Sequence, residues 1–436
     1  MKKHLRKIFL FLIPIFFLAF NFQDNFISGW YFQSMPPLHG GYISDMTFTD
    51  TLTGFAATVQ DSSGIGSVLK TTNGGDNWSI KHQVKGSISK IQFLNTQTGF
   101  IGGADLFKTT NAGENWFALT PLPKASFIDI SVVSESEIWA TDYNALIGGL
   151  YRSTNGGMNW QMMFFNAFRN PSKIYMYNSR LGFMIYSNKL YRTSNSGQSW
   201  DSVPGQRTFY HEIKMIDSLT GWKAAGNLTK TTDGGFTWQE QFVPFQSASS
   251  GASDFSIINK DTLWMAGGAI GTTWKDFRSV AFKTTNGGAN WGYQILNSSI
   301  NSYIPFHIMF VNANYGWTYI PNNTGFHTKV GGNDTTIYVG VQQISIEVPE
   351  NFKLYQNYPN PFNPVTKIHY ELRNTDYIKL FISDITGKEV SVLINQKQTT
   401  GKYEYTFDGS YLSSGIYFYT LQTNSFKQTK KMMLLK

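Results

Sequence analysis

The acids that stand outside the repeated patterns of this 436-residue chain include Asp142, Asp201, Glu240 and Asp276, and any of these four could be a catalytic carboxylate. Hydrolysis of a glycosidic bond asks for two such groups facing each other across the substrate, roughly 5 to 9.5 Å apart. Nothing in their spacing brings two of the four together, and acids on exposed loops are usually just solvated. The seven His form neither an H-E-x-x-H nor a His-x-His pattern, so no hydrolytic metal centre is expected. The chain has no Cys, which removes thiolate catalysis, disulfides and a lipid-anchor cysteine. No Gly-rich phosphate cradle is present, and no cofactor is expected.

Two other groups could bind rather than react. Phe165, Phe168 and Arg169 lie in "QMMFFNAFRNPS", and Trp274, Asp276 and Arg278 lie in "AIGTTWKDFRSVAF". Aromatic faces beside charges suit a glycan or peptide ligand by stacking plus ion pairing. Both stretches interrupt a regular pattern, which is where function tends to sit. The alternative is that these aromatics pack between structural units.

The pattern they interrupt is a box of the form T-x-[ND]-x-G-x-x-W, written six times with its first Thr once replaced by Ser. Its members are Asn73, Gly75 and Trp78; Asn111, Gly113 and Trp116; Asn155, Gly157 and Trp160; Asn195, Gly197 and Trp200; Asp233, Gly235 and Trp238; and Asn286, Gly288 and Trp291. The steps between copies are 38, 44, 40, 38 and 53 residues. A period near 40, rich in Gly, Thr and aromatics and without a long amphipathic helix, predicts one four-stranded propeller blade per repeat. In each box the Asn or Asp side chain is expected to fix a turn, Gly to supply a positive φ, and Trp to bury a large surface in the blade.

A second signature precedes each box: a strand, a short polar turn, then usually Gly-aromatic, as in "ISDMTFTDTLTGF" from Ile43. It occurs seven times, the last from His307 followed only by the eroded "FHTKVGGNDTT". Seven signatures predict seven blades. The segment from Trp30 to Met35 has the form of an outer strand with no repeat before it, so it should complete the last blade and leave no open sheet edge.

The box resembles the Asp-box of sialidase-like and photosystem II assembly factor-like propellers, and "TGW" followed by "KTTDGGFTW" is most similar to the latter. That resemblance implies a propeller over residues 23–345. It implies no ligand, because in that family the box sits on outer hairpins away from the ligand face. Five of the six boxes carry Asn, a poor ligand for a hard cation, which argues against repeated Ca²⁺ sites. Sialidases also need three Arg on a carboxylate and an Arg-Ile-Pro motif. The motif is absent, and Arg152 and Arg192 occupy a repeat position held by Lys elsewhere, which marks them as structural. Xyloglucanases use two Asp-box propellers, and only one fits here.

Past a linker at 346–356, residues 357–436 change character. "NYPNPFNPVTKIHYEL" opens with Asn357, Pro359, Asn360, Pro361, Phe362, Asn363 and Pro364, which force an extended conformation, and short strands then alternate with Gly and Asp turns. A small Ig-like β-sandwich is predicted. From "NYPNPFNP" through Gly387 in "SDITGKEV" and Gly415 in "SGIYFYTL" to Lys436, the segment resembles the type A sorting domain of the type IX secretion system. The resemblance implies a partnership with that machinery in a Bacteroidetes-type bacterium, and release or attachment at the cell surface.

The N-terminus agrees with such a route. Lys2, Lys3, Arg6 and Lys7 precede an apolar run of 13 residues from Ile8 to Phe20, which is a secretory signal over 1–22 and too short for a comfortable membrane span of about 20 residues. The chain's formal charge of +8 sits in this leader and in the C-terminal module; the residues between carry 21 bases against 22 acids. No nucleic-acid partner is expected. The sequence thus predicts an all-β, exported, non-enzymatic binding or adhesion propeller. The alternatives are a carbohydrate-active hydrolase, which paired carboxylates at the channel mouth would favour, and an assembly factor for a membrane complex, which a wide Arg patch would favour.

Overall fold

The computed structural model describes residues 29–33, 35–119, 127–142, 149–164, 170–204, 212–241, 251–270, 278–288, 291–296, 307–320, 324–332, 337–345, 347–409 and 412–436. The leader at 1–22 lies outside them. Among the described residues every named element is a strand, and no helix is long and apolar enough to cross a membrane.

The strands fall into successive four-stranded antiparallel meanders, spanning 43–85, 88–118, 127–164, 173–202, 212–240 and 254–295. A seventh is made of His307–Phe310, Gly316–Ile320 and Thr324–Thr328, with Trp30–Gln33 as its outermost strand, Trp30 facing Thr328. The chain's first described strand therefore closes the ring that its last blade leaves incomplete. Trp30 is buried, donates from Nε1 to Gln294 Oε1 at 2.8 Å in the sixth blade, and meets Trp264 and Phe310 edge-on.

Burial explains the differing strand patterns. The second strands, such as Gly54–Thr58, Gly99–Gly103 and Ile138–Asp142, are buried at every residue because neighbouring blades cover both faces. The innermost strands, such as Ile43–Phe48, show only partial burial because one face looks into the central channel.

Beyond the ring, Ile337–Ser345 pairs on one side with the sixth blade, Trp291 facing Val339, and on the other with a strand of the C-terminal module, Gly340 facing Thr406. The expected division at 345 falls at the end of this shared strand. The module itself has two sheets, one built on Val365–Leu372 and Gly401–Asp408, the other on Asp376–Ser383, Glu389–Gln398, Gly415–Gln422 and Lys427–Leu434. Ile368, Tyr370, Leu380, Ile382, Tyr419 and Leu434 fill the space between them.

Candidate functional site

The boxes form a repeated hairpin. Thr71 Oγ1 donates to Asn73 Oδ1 at 2.9 Å and accepts from Gly75 N at 2.9 Å, while Asn73 Oδ1 also accepts from Asn77 N at 3.0 Å. The same three bonds recur around Asn111, Asn155, Asn195 and Asp233. Around Asn286 the two bonds to Thr284 recur. The seventh copy keeps the bond from Gly332 N to Thr328 Oγ1 but places Val330 where the Asn would be, which removes the side-chain acceptor. The second box Gly has φ between 74° and 92° in the six copies, and a Cβ there would strike the neighbouring blade: at Gly235 it would lie 2.3 Å from Phe183.

The box Trp packs partly on its own blade, as expected, Trp78 against Phe48 and Trp116 against Phe93, and partly beyond it. There it lies in the seam with the preceding blade: Trp200 meets Trp139, Trp238 meets Phe183, and Trp78 meets Tyr319. Trp160 and Trp200 are only half-buried. The Gly-aromatic signature of one blade thus provides the floor for the box of the next. The basic residue before the box clasps the same seam. Lys70 Nζ donates to Ala112 O at 2.7 Å, Arg192 Nε to Gly234 O at 2.7 Å and Lys230 Nζ to Gly287 O at 2.9 Å, each one blade onward. Arg152 instead pairs with Glu137 at 2.8 Å.

The three described carboxylates outside the repeats do not converge. Asp142 is buried at the end of a second strand in the third blade; Asp201 and Glu240 are exposed on the outermost strands of the fourth and fifth blades. Of the proposed ligand residues, Phe165, Phe168, Arg169, Trp274 and Asp276 lie outside the described residues. Arg278 opens the third strand of the sixth blade, opposite Ile270. Among the described residues no group of three or more His, Asp or Glu could hold a metal.

A different site is built at the centre. Asp45, Lys90, Asp129, Lys173, Glu212, Asp254 and His307 occupy one register on the seven innermost strands, each facing the fourth residue of its blade's second strand. All seven are ionisable. With Lys214 two residues further along, the first six line a cavity of about 540 Å³. The ring is wired from blade to blade: Asp45, Asp129 and Asp254 each accept the backbone N–H of the next blade's innermost strand, from Ile91, Ile174 and Ile308, at 2.9 to 3.0 Å. Lys90 spans the channel, 3.5 Å from both Asp45 and Glu212. Lys214 donates to Phe255 O at 2.7 Å and pairs with Asp254 at 3.2 Å.

Burial sets the electrostatics, and the partners decide its sign. Burial would raise Glu212, but Lys90 and Lys214 outweigh it and hold the carboxyl below its usual range. Asp254 is likewise held well down by Lys214 and His307 despite its burial. Asp129 goes the other way: burial pushes it up, and the fields of Lys173 and Lys90 only partly compensate. The sequence signal for this ring was present in the strand signatures, as one ionisable residue per inner strand. It becomes visible only when the seven strands are superposed.

The sorting segment is held at both ends. Phe362 is buried, its N–H donates to Met433 O at 3.0 Å, and its carbonyl accepts from Leu435 N at 2.9 Å, so the opening motif is pinned to the tail. Asn360 Oδ1 accepts from Met433 N at 2.9 Å, and buried Asn357 donates from Nδ2 to Thr366 Oγ1 at 2.9 Å and to Pro359 O at 3.1 Å. Pro364 O accepts from Gly409 N, Pro361 and Asn363 are exposed, Gly387 turns with φ 84°, Gly415 opens a strand, and Lys436 N donates to Ser414 Oγ.

Fold and segment together define an exported propeller protein with a C-terminal sorting domain. Residues 356–435 match the family described as the secretion system C-terminal sorting domain, which marks the chain for type IX export to the surface or the medium. Among solved structures the chain is similar to YCF48 bound to D1 peptide, at 18% identity over 69% of this chain and 96% of that one, with a TM-score of 0.54. It is similar to YCF48 from Cyanidioschyzon merolae at 15% identity over 69% and 98%, with a TM-score of 0.52. It is also similar to the GH74 xyloglucanase from Xanthomonas campestris at 11% identity over 92% and 68%, with a TM-score of 0.55. At these identities the likeness shows the propeller fold alone. No curated protein matches the chain.

Proposed function

We propose that this chain is a non-catalytic binding propeller, delivered to the cell surface or medium by its sorting domain, with its ligand site at the central channel. The carrying observation is the ring of seven ionisable residues in one register, six of them lining a cavity of about 540 Å³. A ring that served only to join the blades would be satisfied by apolar residues and short hydroxyls, without the cost of taking charges out of water. A non-catalytic binding role is in keeping with the fold, since YCF48 is known bound to a D1 peptide. Phe165, Phe168, Arg169, Trp274, Asp276 and Arg278 stay candidates for added stacking and charge on the strength of the sequence alone. Asp142, Asp201 and Glu240 sit on three separate blades, and of the channel carboxylates Asp45 and Glu212 are both paired with Lys90 and Asp254 with Lys214, which supports binding over glycoside hydrolysis by a facing acid pair.

Glycan and peptide arrays probed with the purified chain test this reading, run beside a reducing-end assay on xyloglucan. Retention of a ligand that Glu212→Gln weakens, with no new reducing ends, is the expected result. Hydrolysis, or retention indifferent to Glu212→Gln, contradicts it. Export has its own test: removing residues 430–436 takes buried Met432 and Leu434 from the sandwich and should leave the propeller in the periplasm. Normal amounts of the truncated chain outside the cell would contradict the sorting role of the tail.

A further inference from the structure

The channel ring leaves one complementary pair of charges unanswered. Lys90 is shared between Asp45 and Glu212, and Lys214 answers Asp254. Asp129, in the third blade, is 4% exposed. Its Oδ2 accepts from Ile174 N, while its Oδ1 is buried with no hydrogen-bond partner among the described residues. Lys173, on the neighbouring fourth blade, lines the same cavity and acts on Asp129 through its field, with no ion pair within 4.0 Å among the described residues.

A buried carboxylate oxygen without a donor is costly, and a charge-assisted hydrogen bond is the strongest way to meet that cost. An ammonium alone would satisfy Asp129 but add a net charge to a poorly solvated cavity beside Lys173. An anion alone would do the reverse. A ligand carrying both groups meets both needs and brings no net charge. The cavity falls in the size range of small-molecule sites.

We propose that the channel is a site for a small zwitterion of the amino-acid class, its ammonium pairing with the Asp129 carboxylate and its own carboxylate facing Lys173. This rests on the channel being the ligand site, and it goes further by naming the ligand's chemistry.

Isothermal titration calorimetry of the whole chain tests it, with glycine, 4-aminobutanoate and 6-aminohexanoate as probes and butylamine and butanoate as single-charge controls. At least one amino acid should bind saturably and at least tenfold more tightly than both controls. Asp129→Asn and Lys173→Met should each weaken it at least tenfold, with unchanged circular dichroism showing that both variants fold. The proposal is overturned if no amino acid exceeds the controls, if butylamine binds as tightly as the amino acids, or if both variants bind like the parent. A ligand found on the arrays that is lost in Glu212→Gln, alongside no amino-acid binding, would remove the zwitterion and keep the channel as the site. Failure of both would remove the channel reading as well.

Discussion

The rim hairpins and the channel ring are both written once per blade, yet they differ in what is repeated. At the rim the side chains themselves recur: a hydroxyl, an Asn or Asp, a Gly at positive φ and a Trp, joined by the same bonds in five copies. At the channel only the register recurs, and the residues change from Asp to Lys to Glu to His. Identical side chains answer an identical demand, which is to close a hairpin and seal a seam. Varied side chains at one register answer a demand that differs around the ring, as an asymmetric ligand would impose. On the proposed reading, repetition marks scaffold and departure from it marks the ligand site.

That contrast is sharpest for the box Trp. Trp238→Ala empties the seam against Phe183 and should cost about 3 to 5 kcal/mol of unfolding free energy, measured by denaturant titration, with ligand affinity unchanged in the folded fraction. A loss of affinity without a loss of stability would reverse the roles assigned to rim and channel.

A smaller effect separates one box from the other five. Asp233 is the lone carboxylate at its position; burial would raise it, but bonds from the Thr237 hydroxyl and backbone and the Thr231 hydroxyl bring its pKa down from 3.8 to about 2. A depressed carboxyl stabilises the fold above its unfolded value and stops doing so as pH falls through the folded one. Asp233→Asn should therefore flatten the stability profile between about pH 4 and 2 while leaving neutral stability nearly unchanged. Acid titrations of the two proteins that superimpose would show that this box does not titrate with folding.

Much of the fold was legible because its demands recur. Seven strand signatures marked the blades, and Trp30, a strand-opening Trp with no repeat before it, marked the strand that closes them. The basic residues Arg152 and Arg192 could be set aside as structural because they stood in a Lys register. What the sequence hid was relational. That Trp238 packs on the preceding blade, or that Ile337–Ser345 joins the sixth blade to the sandwich, depends on contacts between segments that no local pattern records. The channel ring was hidden for a related reason: in "ISDMTF" or "ISKIQF" the Asp or Lys reads as an ordinary solvent-facing residue of an alternating strand, and only closure of the ring turns that face into a cavity. By contrast Asp142, Asp201 and Glu240, which stand out in the sequence for lying outside the repeats, fall on three different blades.

If the rim holds the fold and the channel serves a ligand, the unfolding free energies of Asn73→Ala and Asp129→Asn at pH 7 should move apart. Asn73→Ala removes the acceptor of the Thr71 and Asn77 bonds and should lose about 1 kcal/mol. Asp129→Asn keeps an acceptor for Ile174 N–H and removes a charge that burial disfavours, so its stability should equal or exceed that of the parent. If Asp129→Asn is instead as destabilising as Asn73→Ala, the ring is part of the scaffold and the distinction between the two regions fails.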